Sequence, residues 1–319
     1  MTVLVTGGAG YVGAHVVRAL VERYESVVVV DDLSTGRYDR LPDVEMFRVD
    51  LANPSASREL AMFMKHRGVD SVMHLAGLKK ARTDAEAAGQ FFAVNVAATS
   101  YLLDAMTEAN VPRIVFASSA AVYGQQEGAL LESATPMPAS PYGQSKLDAE
   151  RRLLTAHRTF GISVAILRLF NVVGAQERTL IDRTDGALLP AIWRSLNKSD
   201  PFVINGNGYP TPDGTCVRDF VDVSDVAEAF LSARRRLVER GGVVLANIGT
   251  AHGTSVSEVV REVSSATGRR VLTQIGPARA EDVPTSTARI EWARESLGWG
   301  PMLSFRDSIR AWVPLTTAP

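Results

Sequence analysis

Cysteine is almost missing from this chain: Cys216 stands alone among 319 residues. An intrachain disulfide is therefore excluded, and the composition fits a reducing cytoplasm. Histidine is scarce as well, five in all, with no close His/Cys spacing, so no metal site is expected. Neither charge sign is in excess: a net charge of -1 gives no global field to draw in nucleic acid or an anionic membrane, and any anionic ligand must be held by local donors. Long apolar runs are also lacking, since no window approaches the ~20 residues of a spanning helix. The segment Met1-Thr2-Val3-Leu4-Val5-Thr6 enters a strand without the basic start and apolar stretch of a signal peptide. There are no internal repeats or low-complexity tracts. These absences lead to the expectation of a soluble cytoplasmic protein whose partners are small molecules.

What is present is an ordinary globular balance, 46% apolar and 22% charged, in a chain long enough for a large core or two lobes. Strand-like runs at Val3 to Thr6, Val27 to Val30, Met46 to Val49, Ser71 to Leu75, Arg113 to Ala117 and Val164 to Leu169 are separated by helix-length segments. Continuous aliphatic strands alternating with helices predict a doubly wound parallel sheet of the α/β class, covered on both faces. Ligands of such sheets sit beyond the carboxyl ends of the strands, where the crossover direction reverses. After Asn171 the rhythm shifts to Gly/Pro/Asp-rich connections such as Asn205 to Gly214, which predicts a smaller α+β lobe. The expected division is residues 1–171, with a return segment near 215–240, and residues 172–319. Phe220 to Leu231 reads as a short strand leading into a helix, with Ser224 as its N-cap.

The string Gly7-Gly8-Ala9-Gly10-Tyr11-Val12-Gly13 follows the first strand and precedes an amphipathic stretch from Val12 to Tyr24. Glycines there let backbone N–H groups approach a pyrophosphate, whose charge the helix N-terminus also stabilises. Asp31 and Asp32 end the next strand, at about the spacing of a ribose-binding carboxylate. A carboxylate at Asp31 accepts hydrogen bonds from ribose hydroxyls and repels a 2′-phosphate, which favours NAD over NADP. Asp50 and Leu51 follow the third strand, and His74-Leu75-Ala76-Gly77 the fourth. They are placed to meet the adenine and the diphosphate-ribose side, although each taken singly is commonly just a strand end, and His74 reads as a packed or capping histidine.

Tyr142-Gly143-Gln144-Ser145-Lys146 spaces a phenol and an ammonium one helical turn apart on a helix that Pro141 starts. Tyrosine in water, with a pKa near ~10, is a poor base at neutral pH, and a nearby cation is what holds it partly ionised. Ser118 and Ser119 end the fifth strand at the same rim, where a hydroxyl bridges substrate and tyrosine. Without the glycine cradle, Tyr142 reads better as a surface aromatic and Lys146 as a solvated charge. With it, a cofactor site and a base in one chain imply redox chemistry.

Taken together, Thr6 to Gly13, Asp31 to Gly36, Phe116 to Gly124, Ser140 to Lys146, Arg168 to Asn171, Tyr209 to Val221 and Asn247 to Thr250 resemble the extended short-chain dehydrogenase/reductase family, and within it the UDP-glucose 4-epimerases. The resemblance runs from near residue 2 to Trp299. It implies a Rossmann-type domain holding NAD, a nucleotide sugar such as a UDP-hexose between two lobes, and a homodimer built through helices of the first domain. It also implies an isomerase in which Tyr142, assisted by Ser119 and Lys146, takes the proton of the sugar 4-hydroxyl, giving a transient 4-keto sugar that is reduced on its other face. Cofactor positions implied beyond the cradle are Lys79 and Asn95. Substrate positions implied are Asn171, Arg218, Arg279, Asp282 and Ser286.

The family's dehydratases carry an Asp-Glu pair where this chain has Ala120 and Ala121, which argues against elimination. A non-catalytic NAD-binding regulator is argued against by Ser119, Tyr142 and Lys146. Between UDP and dTDP, and among glucose, N-acetylglucosamine, glucuronate and pentose, the residues leave the choice open. Arg82 stands where the epimerase pattern carries a small residue, Ala187 where it carries an amide or histidine, and Asn205 where it carries an aromatic or aliphatic residue against the base. Ser286 falls at the family's gate position, where a small side chain leaves room for a 2-acetamido group.

Overall fold

The computed structural model describes residues 1–79, 87–184, 186–279 and 282–317; Arg82 lies outside them. Along the chain run β1 (Thr2–Thr6), α1 (Tyr11–Val21), β2 (Ser26–Asp31), β3 (Glu45–Arg48), α2 (Ala56–Arg67), β4 (Val69–His74), α3 (Ala87–Phe91), α4 (Ala98–Ala109) and β5 (Arg113–Ser119). They are followed by β6 (Gly128–Leu130), α5 (Pro141–Phe160), β7 (Ser163–Leu169), β8 (Asn171–Val173), α6 (Leu188–Lys198), β9 (Phe202–Asn205), β10 (Val217–Asp222), α7 (Val223–Arg240) and β11 (Val243–Ile248). The last elements are β12 (Gly253–Ser255), α8 (Val256–Thr267), β13 (Thr273–Gly276), β14 (Thr285–Ala288), α9 (Glu291–Leu297) and α10 (Phe305–Thr317).

Seven strands form one parallel sheet in the order β11-β7-β5-β4-β1-β2-β3. Alternation along β1 shows why it is covered twice: Val3 and Val5 pack with Val16, Val17 and Phe230 of α1 and α7, whereas Leu4 packs with Leu60, Leu102 and Leu153 of α2, α4 and α5. The chain winds outward from β1 through β2 to β3, then crosses to β4 on the other side of β1. That reversal opens a crevice at the carboxyl ends of β1 and β4. Strand β11, beyond residues 215–240, supplies the sheet's far edge beside β7.

The remaining strands form smaller sheets, in which β10 pairs β8, β12 and β14, and β13 pairs β9. Their helices close a separate core around Ile192, Val259, Val263 and Trp312. Two local expectations change. The first helix stops at Val21, and Tyr24 turns into the left-handed region at φ 58°. The cap of α7 is Asp222 rather than Ser224: its carboxylate accepts from Ser224 N at 2.8 Å, so Ser224 already lies within the first turn.

Candidate active site

The crevice is built from backbone. Gly10 caps α1 with no side-chain hydrogen bond, so among the described residues the cap leaves the first-turn N–H groups without a side-chain acceptor. A Cβ on Gly13 would stand 2.0 Å from Gly7 O, and one on Gly7, whose φ is +68°, would stand 2.5 Å from Ala76 N. The loops after β1 and β4 thus meet as bare main chain. A cleft of about 100 Å³ is lined by Gly7, Gly10, Asp31, Asp32, Asp50, Leu51, Leu75, Ala76 and Gly77. Val12, Gly13 and Asn95 are not among its lining residues. A cradle that any Cβ would fill, an uncapped helix N-terminus and acidic groups at the next two strand ends fit a dinucleotide such as NAD.

Asp31 does more than wait for a ribose. Its buried carboxylate accepts from Ala9 N at 3.0 Å and Leu33 N at 2.9 Å, which braces the glycine loop against the end of β2. Burial raises its pKa, and those two N–H groups oppose the rise. Asp32 accepts from Ser34 N and Oγ. His74 is packed, as its position suggested, between Thr6 Oγ1 at 2.6 Å and Thr99 Oγ1 at 3.0 Å, and burial lowers its pKa to about 3.

Helix α5 begins with Pro141 at its first turn and Ser140 Oγ accepting from Gly143 N at 3.1 Å. Gly143 is pressed so close to the turn after β5 that a Cβ would lie 2.5 Å from Ala121 O. This contact brings Tyr142 to Ser119. Lys146 is buried, donates to Ala117 O at 2.9 Å and lies 5.0 Å from the centre of the Phe116 ring. Its Nζ stands 3.2 Å from where a Cβ on Gly77 would be, which sets the ammonium at the rim of the cofactor cleft. Burial lowers its pKa to about 8, with the Glu150 carboxylate opposing.

Burial raises the Tyr142 pKa, and the Ser119 hydroxyl is the group that lowers it. Beneath them Asn95 sits in a π-helical stretch, Phe92–Ala97, between α3 and α4. It accepts from Leu78 N at 2.7 Å and donates to Ser145 Oγ at 2.9 Å, tying the loop after β4 to α5.

A second cavity of about 650 Å³ is lined by Tyr11, Lys79, Asn171, Arg218, Arg279 and Asp282, with Ala187 and Asn205 also on its wall. The Arg218 guanidinium is already engaged: Nη2 pairs with Asp282 Oδ1 at 3.0 Å, and Nη1 donates to Val283 O at 2.8 Å. Asn171 Nδ2 donates to Asp219 O at 3.1 Å. Ser286 lies on β14 between Arg218 of β10 and Gly128 of β6 and does not line the cavity, nor do Ser119, Tyr142 and Lys146 line either space. Arg194, Lys198, Phe202 and Trp312 line it too. Sequence reading missed these four. Arg194 and Lys198, one turn apart on α6, were a usable signal; Phe202 and Trp312 are brought in only by the packing of the smaller lobe.

The model of the NAD dependent epimerase/dehydratase family matches residues 3–249. The chain belongs to that family. It is 38% identical to a UDP-glucose 4-epimerase of Azospirillum brasilense over 316 residues, 96% of this chain and 89% of the relative. A second UDP-glucose 4-epimerase, from Streptomyces lividans, is 36% identical, with 93% of this chain and 91% of the relative covered. Among solved structures, a UDP-glucose 4-epimerase from Stenotrophomonas maltophila with bound NAD and formylated UDP-arabinopyranose superposes with a TM-score of 0.92 at 33% identity, covering 99% of this chain and 98% of the other. The family's extended short-chain dehydrogenase/reductase fold accounts for the doubly wound sheet and its crevice.

Proposed function

We propose that this chain is an NAD-dependent isomerase that epimerises a nucleotide sugar at carbon 4, interconverting UDP-glucose and UDP-galactose. The observation that carries the reading is Lys146 beside Gly77, because it joins the helix bearing Tyr142 to the rim of a dinucleotide cleft. Gly7, Gly10, Tyr11, Val12 and Gly13 would hold the diphosphate side of the cofactor, Asp31 and Asp32 the adenosine ribose, and Lys79, Asn95 and Lys146 the far side. Bound there, NAD supplies a reversible two-electron acceptor.

The phenolic oxygen of Tyr142 takes the proton of the sugar 4-hydroxyl and later returns it. Ser119 orients that hydroxyl and offsets the effect of burial on the phenol. Lys146, an ammonium at pH 7 with its pKa near 8, favours the phenolate that is ready to take the proton. Asn171, Arg218, Arg279 and Asp282 serve the diphosphate and base contacts of the nucleotide, so that the hexose can turn over without leaving. Binding energy is thereby placed away from the reacting carbon.

Ala120 and Ala121 lack the acid and base that elimination needs, which disfavours the dehydratase reading. Residues 1–171 with the return near 215–240 serve the cofactor, and 172–319 the nucleotide sugar. The assembly proposed with it is a homodimer through first-domain helices, to be measured by light scattering. Among the described residues no helix is long and apolar enough to cross a membrane, which is compatible with a cytoplasmic location.

The deciding experiment incubates purified protein with a panel of sugar nucleotides, without added cofactor, and separates the products. A 4-epimer without net reduced nicotinamide is the expected result. Loss of water from the substrate mass would replace epimerisation with dehydration.

A further inference from the structure

Beneath the catalytic helix, five side chains form a buried polar unit. Glu150 lies one turn beyond Lys146 on α5 and is 2% exposed. Its Oε1 accepts from Ser118 Oγ of β5 and from Arg168 Nε of β7 at 3.0 Å, and its Oε2 accepts from Arg168 Nη2 at 2.8 Å. The Arg168 guanidinium lies 4.8 Å from the centre of the Tyr123 ring. The Tyr123 hydroxyl in turn donates to Asn247 Oδ1 at 2.6 Å.

None of these groups lines the cofactor cleft or the large cavity. A buried ion pair is also poor value as a stabiliser, because apolar residues of the same volume commonly do as well or better. The placement of this one is more telling. Ser118 adjoins Ser119, Glu150 follows Lys146 by one turn, and Arg168 sits on the strand next to β5. The unit is bonded to both segments that bear the proton-transfer groups.

We propose that Glu150, clamped by Arg168 and Ser118, is a positioning residue that fixes α5 on β5 and keeps Lys146 in its ammonium form beside the cleft. This rests on the reading of Tyr142 and Lys146 as the catalytic pair. Among the described residues, the titratable and charged groups around Lys146 are Tyr142 and Glu150 on its own helix, His74 on β4, and Arg168 on β7, which reaches it through Glu150. Asn95 and Ser118 are the uncharged polar neighbours. His74 is neutral at pH 7, since burial takes it to about 3, and Arg168 is paired with Glu150. Among the described residues, Glu150 is the carboxylate whose charge opposes loss of the Lys146 proton, which burial alone would release earlier.

The chain has five lysines, so carbon-13 labelling at lysine Cε gives a readable titration by NMR, with Lys146 assigned from its loss in Lys146→Met. The double variant Glu150→Leu with Arg168→Met removes both charges together and is expected to melt cooperatively. In the cofactor-bound protein its Lys146 midpoint is expected to fall by about half a pH unit or more, and the alkaline limb of kcat to move down with it. Glu150→Asp, which retains the charge, is expected to restore both. Should the double variant not fold, Glu150→Gln carries the same expectation. A folded variant whose Lys146 midpoint and alkaline limb match the parent protein would overturn the role of Glu150. Full turnover in Tyr142→Phe would instead overturn the catalytic pair on which the role rests, so the two failures are distinct.

Discussion

The carbonyl oxygen of Gly7 occupies the space a side chain on Gly13 would need, 2.0 Å from the ideal Cβ position. The opposing atom is backbone and cannot swing aside. Gly13→Ala must therefore displace the loop that frames the cofactor cleft. The expected outcome is a protein purified with at least about ten-fold less bound NAD, a loss of the order produced by a misfitted contact of ~1.4 kcal/mol. Nucleotide released on denaturation and measured by absorbance checks this, and parental content in the variant would contradict the close packing of the cradle.

Tyr142→Phe removes only the oxygen that holds the proton. Turnover is expected to fall by roughly 10² to 10⁴, while bound NAD and the melting temperature stay near the parental values. Single-turnover rates with UDP-glucose, measured alongside cofactor content, separate loss of chemistry from loss of binding.

Lys146→Met reads the cost of burying a cation. The folded-state pKa, about 8 against the ordinary 10.5 of a lysine, means that the unfolded chain binds more protons between those limits. The penalty is full below pH 8 and is relieved as pH rises toward 10.5, over a span of about 3 kcal/mol. Parent protein should gain stability on that rise relative to Lys146→Met, as followed by urea unfolding at pH 7, 8, 9 and 10. Parallel curves would show that the ammonium is not desolvated. The variant is expected to lose turnover at every pH.

His74 makes the opposite end of the pH range informative. Its pKa is lowered from 6.5 to about 3, so its contribution is intact above 6.5 and is lost as pH falls toward 3, because the unfolded chain takes up the proton first. Between pH 6.5 and 4 that amounts to about 3 kcal/mol. His74→Gln keeps polar contacts toward Thr6 and Thr99 without titrating, and its stability should decline less over this span. Equal declines would place the acid sensitivity elsewhere.

Ser286→Tyr tests the gate. The parent protein is expected to turn over UDP-N-acetylglucosamine as well as UDP-glucose, and the variant to lose the acetamido substrate preferentially, by roughly ten-fold or more. Unchanged acetamido turnover would remove Ser286 from the substrate site, in keeping with its absence from the cavity wall.

Much of this protein was legible before folding because the informative signals are local. Strand β1, the glycine cradle and α1 form one continuous stretch, and the Pro141 start and the i to i+4 spacing of Tyr142 and Lys146 belong to a single helix, so nearest-neighbour stereochemistry decides them. The cap of α7 was misjudged even so, since Asp222 and Ser224 are both competent caps and only the backbone angles at Asp222, extended at φ -66° and ψ 141°, choose between them.

Local sequence by itself determined the alternation of strand and helix, the cradle, and the phenol-ammonium pair. Tertiary structure alone decided that Gly7 meets Ala76, that Asp31 braces the glycine loop, that Arg218 pairs with Asp282, and that Glu150 finds Arg168 across α5 and β7. The physical reason is that a dihedral preference acts over a few residues. Desolvation, charge pairing and the walls of a cavity instead arise between segments far apart in the chain, once burial has brought them into one low-dielectric space.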